Sequence, residues 1–288
     1  MTVQENKTIN LIKDGIFPIK YDINGIELKD FDTGFNMAGT LQGEGKLLGV
    51  PSLFLRTSGC NLACAWLGLD GKGSICDTPY TSFNPEINKM KINDIIKIIE
   101  NNIGDNIRHL VITGGEPLIQ PYIIELITEI KMMFNLHITI ETNGTIHKNL
   151  RSIVDLMSIS PKLSNSVPTK EHLDGTGISY QVNREKTHKK LRKNLPILQE
   201  YLNEKNSAYF DFQLKFVVSR PEDIIEIKEE YLDSLIGWNE NDIVLMPEGY
   251  TKESLQQSTL LAVRAAIENG WRFTPRLHVD LFNNKKFV

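Results

Sequence analysis

The chain has three cysteines, Cys60, Cys64 and Cys76, and all fall within the stretch GCNLACAWLGLDGKGSICDTPY. An odd number of clustered thiols in a chain with no secretory signal points to ligation of a metal or cofactor rather than to a disulfide framework. A structural zinc ion wants a closed tetrahedron of four ligands; no fourth cysteine exists, although a remote histidine could complete the set, so zinc stays open. A dithiol redox pair needs two cysteines separated by two residues, which no pair here supplies. A four-iron, four-sulfur cubane is the better account, because each iron takes one external ligand and three thiolates leave one iron open to a substrate or cofactor.

S-adenosylmethionine is bound in this way in one large superfamily, its amino and carboxylate groups chelating the open iron. The run CNLACAW from Cys60, followed by Cys76, resembles the cysteine motif of that radical S-adenosylmethionine superfamily, with one departure. The second and third cysteines of the motif flank two residues, whereas eleven separate Cys64 from Cys76. Removing Leu67 to Ile75 restores CNLACAWCDTPY, so LGLDGKGSI reads as a nine-residue insertion in the ligand loop, eased by Gly68, Gly71 and Gly73. The segment TGGEP from Thr113 to Pro117 fits the same superfamily: glycine lets the backbone approach the aminoacyl end of the cofactor, and Glu116 offers an acceptor for its ammonium.

Further segments narrow the resemblance. GTLQGEG from Gly39, Arg56 four residues before Cys60, CDTPY from Cys76, SPK from Ser160, LMPE from Leu245 and the terminal PRLHVDLFNNKKFV together resemble 7-carboxy-7-deazaguanine synthases, from about Met37 to the C-terminus. The resemblance implies radical ring contraction of 6-carboxytetrahydropterin to 7-carboxy-7-deazaguanine with loss of ammonia. It implies Cys60, Cys64 and Cys76 as cluster ligands and Thr78 as a Mg2+ contact. Gly115, Glu116, Ser160, Pro161, Lys162, Met246, Pro247 and Glu248 are expected on S-adenosylmethionine. Leu41, Gln42, Gly43, Glu44, Arg56, Thr113, His278 and the terminal Val288 are expected on the pterin. No protein acid or base is expected among them. Asn143 is a further cofactor-lining candidate, with a turn-forming Asn-Gly an equally good account. The resemblance also implies a homodimer and a flavodoxin- or ferredoxin-like electron donor.

These residues need a scaffold. Runs rich in β-branched and apolar residues recur at Ser52, His109, His137, Ile153, Phe212, Asp242 and Arg272, and segments with helical spacing lie between several of them. The helical stretches are INDIIKIIENN, PYIIELITEIKMMF, PEDIIEIKEEYLDSL and TKESLQQSTLLAVRAAIENG, the last stopped by Gly270. Strands alternating with helices predict a parallel sheet, barrel-like or doubly wound; the resemblance implies a modified partial (β/α)6 barrel. Polar, glycine-containing segments cluster where the strands end (TSGC, GGEP, NGT, SPK, PEG), and in parallel α/β architectures those ends share one rim. Residues 1–36 are expected as an irregular or hairpin-like extension with a turn at Asn24-Gly25, 37–288 as the core, and about 163–208 as an insertion folded over the sheet.

Composition excludes little but constrains partners. With 36 acidic and 32 basic residues the formal charge is -4, which offers no general attraction to polyanions or membrane surfaces. The basic run from Lys186 reads as a solvated helix face before it reads as a nucleic-acid contact. The N-terminus lacks the apolar core of a signal peptide and no run approaches a membrane span, so a cytoplasmic protein is expected. Two rival readings remain. A glycyl-radical activase would share the cysteines and GGEP but not Gln42, Glu44, Arg56 and His278. A non-catalytic zinc or iron-sulfur interaction module would need no S-adenosylmethionine.

Overall fold

The computed structural model describes residues 7–29, 33–68, 71–104, 106–205, 210–283 and 285–288. Its strands are β1 (Thr8–Phe17), β2 (Thr40–Leu41), β3 (Pro51–Thr57), β4 (Ala65–Leu67), β5 (Gly73–Ile75), β6 (Asn88–Lys91), β7 (His109–Gly114), β8 (His137–Thr142), β9 (Leu156–Ile159), β10 (Asp211–Val218), β11 (Ile243–Pro247) and β12 (Arg272–Phe273). Its helices are α1 (Pro79–Ser82), α2 (Ile92–Asn102), α3 (Ile123–Met133), α4 (Val182–Leu191), α5 (Leu195–Glu204), α6 (Pro221–Glu226), α7 (Lys252–Asn269) and α8 (Leu277–Phe282).

The continuous apolar runs become strands buried on both faces, as parallel strands covered by helices must be. β3, β7, β8, β9, β10, β11 and β12 pair in parallel in that order. The pairing path stays open, with β12 at one end and β6 at the other, so the mostly parallel sheet is a partial barrel. Helical spacing supplies the cover. α3 buries Ile123, Leu126, Ile127 and Ile130, one stripe at i, i+3, i+4 and i+7. α7 starts where the Thr251 side chain accepts from the Ser254 N–H and ends at Gly270, whose φ of 68° takes the left-handed cap that glycine adopts without a Cβ penalty.

Three expectations change. First, residues 1–36 are not only an extension: a hairpin does close at Tyr21 and Glu27, but β1 pairs antiparallel with both β3 and β6 and puts Ile9, Leu11 and Ile16 into the core. Its apolar residues are broken by lysine and aspartate, which hid the strand. Second, the stretch 163–208 is not one insertion. α5 is the crossover between the parallel neighbours β9 and β10 and buries Leu198, Tyr201 and Leu202 in the main core; residues 206–208 lie outside the described residues. Third, the strand expected from Arg272 stops after two residues. Pro275 has no N–H for a ladder, and α8 follows, so His278 sits on a helix. Among the described residues no helix is long and apolar enough to cross a membrane.

Candidate functional site

The strand-end rim forms one cavity. Cys60 after β3, Gly115 after β7, Asn143 after β8, Ser160 and Lys162 after β9, Val217 of β10 and Glu248 after β11 all line it.

The ligand loop explains the odd cysteine spacing. The residues after Cys64 and before Cys76 pair as an antiparallel hairpin, Ala65 with Ile75, Trp66 with Ser74 and Leu67 with Gly73. The Cys76 N–H donates to the Cys64 carbonyl at 3.0 Å, so the hairpin returns the third cysteine beside the second as though nothing intervened. Gly73 is required there: an added Cβ would stand 2.5 Å from the carbonyl oxygens of both His172 and Asp174. His172 Nδ1 donates to the Ala65 carbonyl at 3.0 Å, holding the other strand.

The three thiols line the cavity together, and burial pushes all of them up, Cys60 to about 12, so ligation must release their protons. The Leu62 N–H donates to Cys60 Sγ at 3.4 Å, and Thr78 Oγ1 lies 3.3 Å from Cys76 Sγ. Among the described residues no three His, Cys, Asp or Glu side chains converge closely enough for one metal ion. A tetrahedral zinc would need thiolates within about 4 Å of one another, given Zn–S bonds near 2.3 Å. Three thiols bordering one cavity, two of them with polar contacts at sulfur, fit a cluster held by three thiolates. Gly115 belongs to this packing, since a Cβ would meet Gly59 O at 2.4 Å and Cys60 Cβ at 2.7 Å.

Leu41, Gln42, Gly43, Glu44, Arg56, Thr113, His278 and Val288 border the same cavity. Gly43 lets His278 approach, an added Cβ there standing 2.4 Å from the imidazole Nδ1. Glu44 is clasped by Lys215 and by Arg276 Nε at 3.1 Å. Burial alone would raise its pKa; the two cations reverse this and hold the carboxyl well below the usual range. Arg276 also pairs with Asp77, which it holds down to about 2 against the effect of burial. Gln42 Nε2 donates to Glu141 at 3.2 Å, and Lys215 lies 3.9 Å from the same carboxylate. Arg56 lies over the Phe17 ring, and its buried Nε–H has no protein acceptor, which suits a carboxylate ligand. The tail is held at the mouth by Phe287 against Phe17 and by Lys286 over the Tyr80 ring at 4.0 Å.

Ser160, Lys162, Met246 and Glu248 also line the cavity, with Lys162 Nζ donating to Ser160 Oγ at 2.8 Å. Three expected contacts do not line it: Pro161, Pro247 and Glu116. Glu116 is fully buried and accepts from Leu118 N, Thr142 Oγ1 and Asn143 N, at 2.7 to 3.0 Å. Its carboxylate ties the end of β7 to the end of β8. Lys215, Arg276, Asp77 and Glu141 escaped the sequence reading. Lys215 left a signal, an ionisable residue inside FQLKFVV, because a strand covered on both faces tolerates a lysine only with a buried partner. The basic run after Lys186 is partly structural: Arg192 Nη1 donates to the Lys162 carbonyl at 3.2 Å and pairs with Glu226 at 2.6 Å.

Residues 54–210 match the Radical SAM superfamily. A 7-carboxy-7-deazaguanine synthase of Halobacterium salinarum is 39% identical over 251 residues, covering 85% of this chain and 88% of that protein. One of Rhodopirellula baltica is 34% identical over 246 residues, covering 85% and 84%. The crystal structure of QueE from Escherichia coli superposes with a TM-score of 0.53 at 23% identity, covering 91% of this chain and 95% of that one, a likeness of fold. On that kinship the chain belongs to the radical SAM superfamily and, within it, to the 7-carboxy-7-deazaguanine synthase family.

Proposed function

We propose that the chain converts 6-carboxytetrahydropterin to 7-carboxy-7-deazaguanine with loss of ammonia, at the cavity bounded by the three thiols and by Glu44, Arg56 and His278. The observation that carries this reading is that an anion-accepting arginine and a clasped carboxylate border the same cavity as three thiols. Cys60, Cys64 and Cys76 would hold a four-iron cluster that, with S-adenosylmethionine, would supply hydrogen-abstracting radical chemistry. The chain's own residues then position and protect. Arg56 pairs with the substrate carboxylate, while Gln42 and Glu44 meet the donors and acceptors of the pterin edge. Lys215 and Arg276 keep Glu44 ionised and fixed in direction. Leu62, Trp66 and Val217 form an apolar wall that keeps water from the thiol side.

The Thr78 hydroxyl, beside Cys76, would offer a hard oxygen ligand to Mg2+. Ser160, Lys162, Met246 and Glu248 hold S-adenosylmethionine. The protein works in the cytoplasm as a homodimer and draws its electron from a flavodoxin- or ferredoxin-like carrier.

The test is anaerobic: reconstituted protein is incubated with S-adenosylmethionine, 6-carboxytetrahydropterin, Mg2+ and a reductant, and products are read by mass spectrometry. Deazaguanine product and 5'-deoxyadenosine are expected from the wild type and neither from Cys76→Ala. Protein that takes up only zinc and yields no 5'-deoxyadenosine overturns the reading.

A further inference from the structure

We propose that the hairpin between the second and third cysteines forms part of the nucleoside subsite, with Ser74 as the positioning residue for Glu248. The inference rests on the reading of Glu248 as a cofactor-side residue.

The hairpin has two faces. The pair Ala65 and Ile75 packs on Leu173, Phe83 and Ile178. The pair Trp66 and Ser74, one rung further, shares the other face, because directly opposed residues of an antiparallel ladder project the same way. Ser74 Oγ donates to Glu248 Oε1 at 2.9 Å, joining the insertion to the end of β11 across 174 residues of chain. Glu248 is buried and still borders the cavity, so this bond fixes the direction of a carboxylate suited to accept from ribose hydroxyls or an exocyclic amine. Trp66, opposite Ser74, also borders the cavity, and its buried indole N–H has no protein acceptor. A buried indole N–H finds a partner as a rule, and a nucleoside oxygen or ring nitrogen supplies one here. A hairpin that served only as a decoration would need neither bond. It would also not need Gly73, whose missing Cβ lets β5 seat against the backbone at His172 and Asp174 and sets Ser74 at this reach.

The test measures equilibrium binding of S-adenosylhomocysteine, which keeps the nucleoside but is not cleaved, to cluster-reconstituted protein. Iron content is measured on the same samples. Ser74→Ala is expected to weaken binding about tenfold with iron unchanged, as for loss of one hydrogen bond to a charged group. Ser74→Thr, which keeps the hydroxyl, is expected to restore it. Glu248→Gln is expected to weaken binding, and adding Ser74→Ala to it is expected to cost nothing more, since both act through one contact. Wild-type binding by Ser74→Ala while Glu248→Gln binds weakly overturns the hairpin's part alone. Wild-type binding by Glu248→Gln overturns the reading of Glu248 itself. Loss of iron in Ser74→Ala together with its affinity assigns the hairpin to cluster retention and overturns the proposal.

Discussion

Replacing Lys215 by methionine tests the electrostatic core of the site. The lysine side chain is 6% exposed and the Glu44 side chain 12%, so the pair is desolvated. Burial alone would lower the lysine pKa, yet Glu44 and Glu141 raise it, as two charges that depend on each other must. Removing one partner of such a pair strands the other and costs about 3–5 kcal/mol. Arg276 still holds Glu44 at 3.1 Å in the variant, which puts the loss near the low end. With an unfolding entropy of about 0.6 kcal/mol/K for a chain of this length, a loss of about 3 kcal/mol lowers Tm by about 5 °C. Adding Glu44→Gln removes the stranded charge and should recover at least about 1.5 kcal/mol relative to additive losses. The pH dependence has a definite sign. Glu44 is depressed in the fold, so its contribution is present above the ordinary carboxylate pKa and is lost as pH falls through the folded value. Lys215→Met raises that folded value, so the acid loss keeps its onset at the ordinary carboxylate pKa but is smaller and ends at higher pH. Calorimetry of the four proteins of the cycle at pH 7.5, repeated at steps from pH 5 down to about pH 2.5 to follow the acid loss, reads all of this. A Tm within 1 °C of wild type for Lys215→Met, or strictly additive losses in the double variant, would refute the reasoning.

Other outcomes follow from single contacts. Gly115→Ala drives a Cβ into Gly59 and Cys60 and should leave most of the protein without iron after reconstitution, read by iron assay and visible absorbance. Arg56→Met should lower kcat/KM by about 10- to 100-fold, the worth of a charged hydrogen bond, chiefly through KM in steady-state kinetics. His109 lies between Ser52 Oγ at 2.7 Å and Thr139 Oγ1 at 2.8 Å, and burial and then His137 hold it down to about 4 from 6.5. Its neutral ring stabilises the fold fully above pH 6.5, and about 3 kcal/mol is lost as pH falls from there toward 4, because the unfolded chain takes the proton first. Urea midpoints at pH 7.5 and 5.0 should differ accordingly, and His109→Gln should narrow the difference.

The parts of this molecule legible in its sequence are those written in local pattern. HLVIT and DIVLM announced buried strands, TKESLQQSTLLAVRAAIENG carried its own cap in Gly270, and the polar strand ends pointed to one rim. The candidate cavity residues were mostly legible too, because glycines and cysteines leave recognisable strings. What escaped was set by distant partners. The charge on Lys215 makes sense only beside Glu44, 171 residues away, and Arg276 only beside Asp77 and Glu44. β1 was masked because its charged positions interrupt the alternation of an otherwise buried strand, and the strand expected at Arg272 failed against a proline two residues beyond its last paired position. Glu116 shows what a string leaves out: it implied a ligand contact, and in the folded chain both oxygens also accept from the ends of neighbouring strands.

The backbone bond from Cys76 to Cys64 closes the base of the hairpin and uncouples the two sulfurs from the length of chain between them. A ladder grows in rungs, so residues added in pairs, one to each strand, would lengthen the arm and leave both sulfurs in place. Residues added beyond the last rung change the tip and leave the register at the base as it is. Evolution is thus free to stretch this loop beyond its base, here by nine residues, and a search pattern written with one fixed interval would pass over chains whose sulfurs meet just as well.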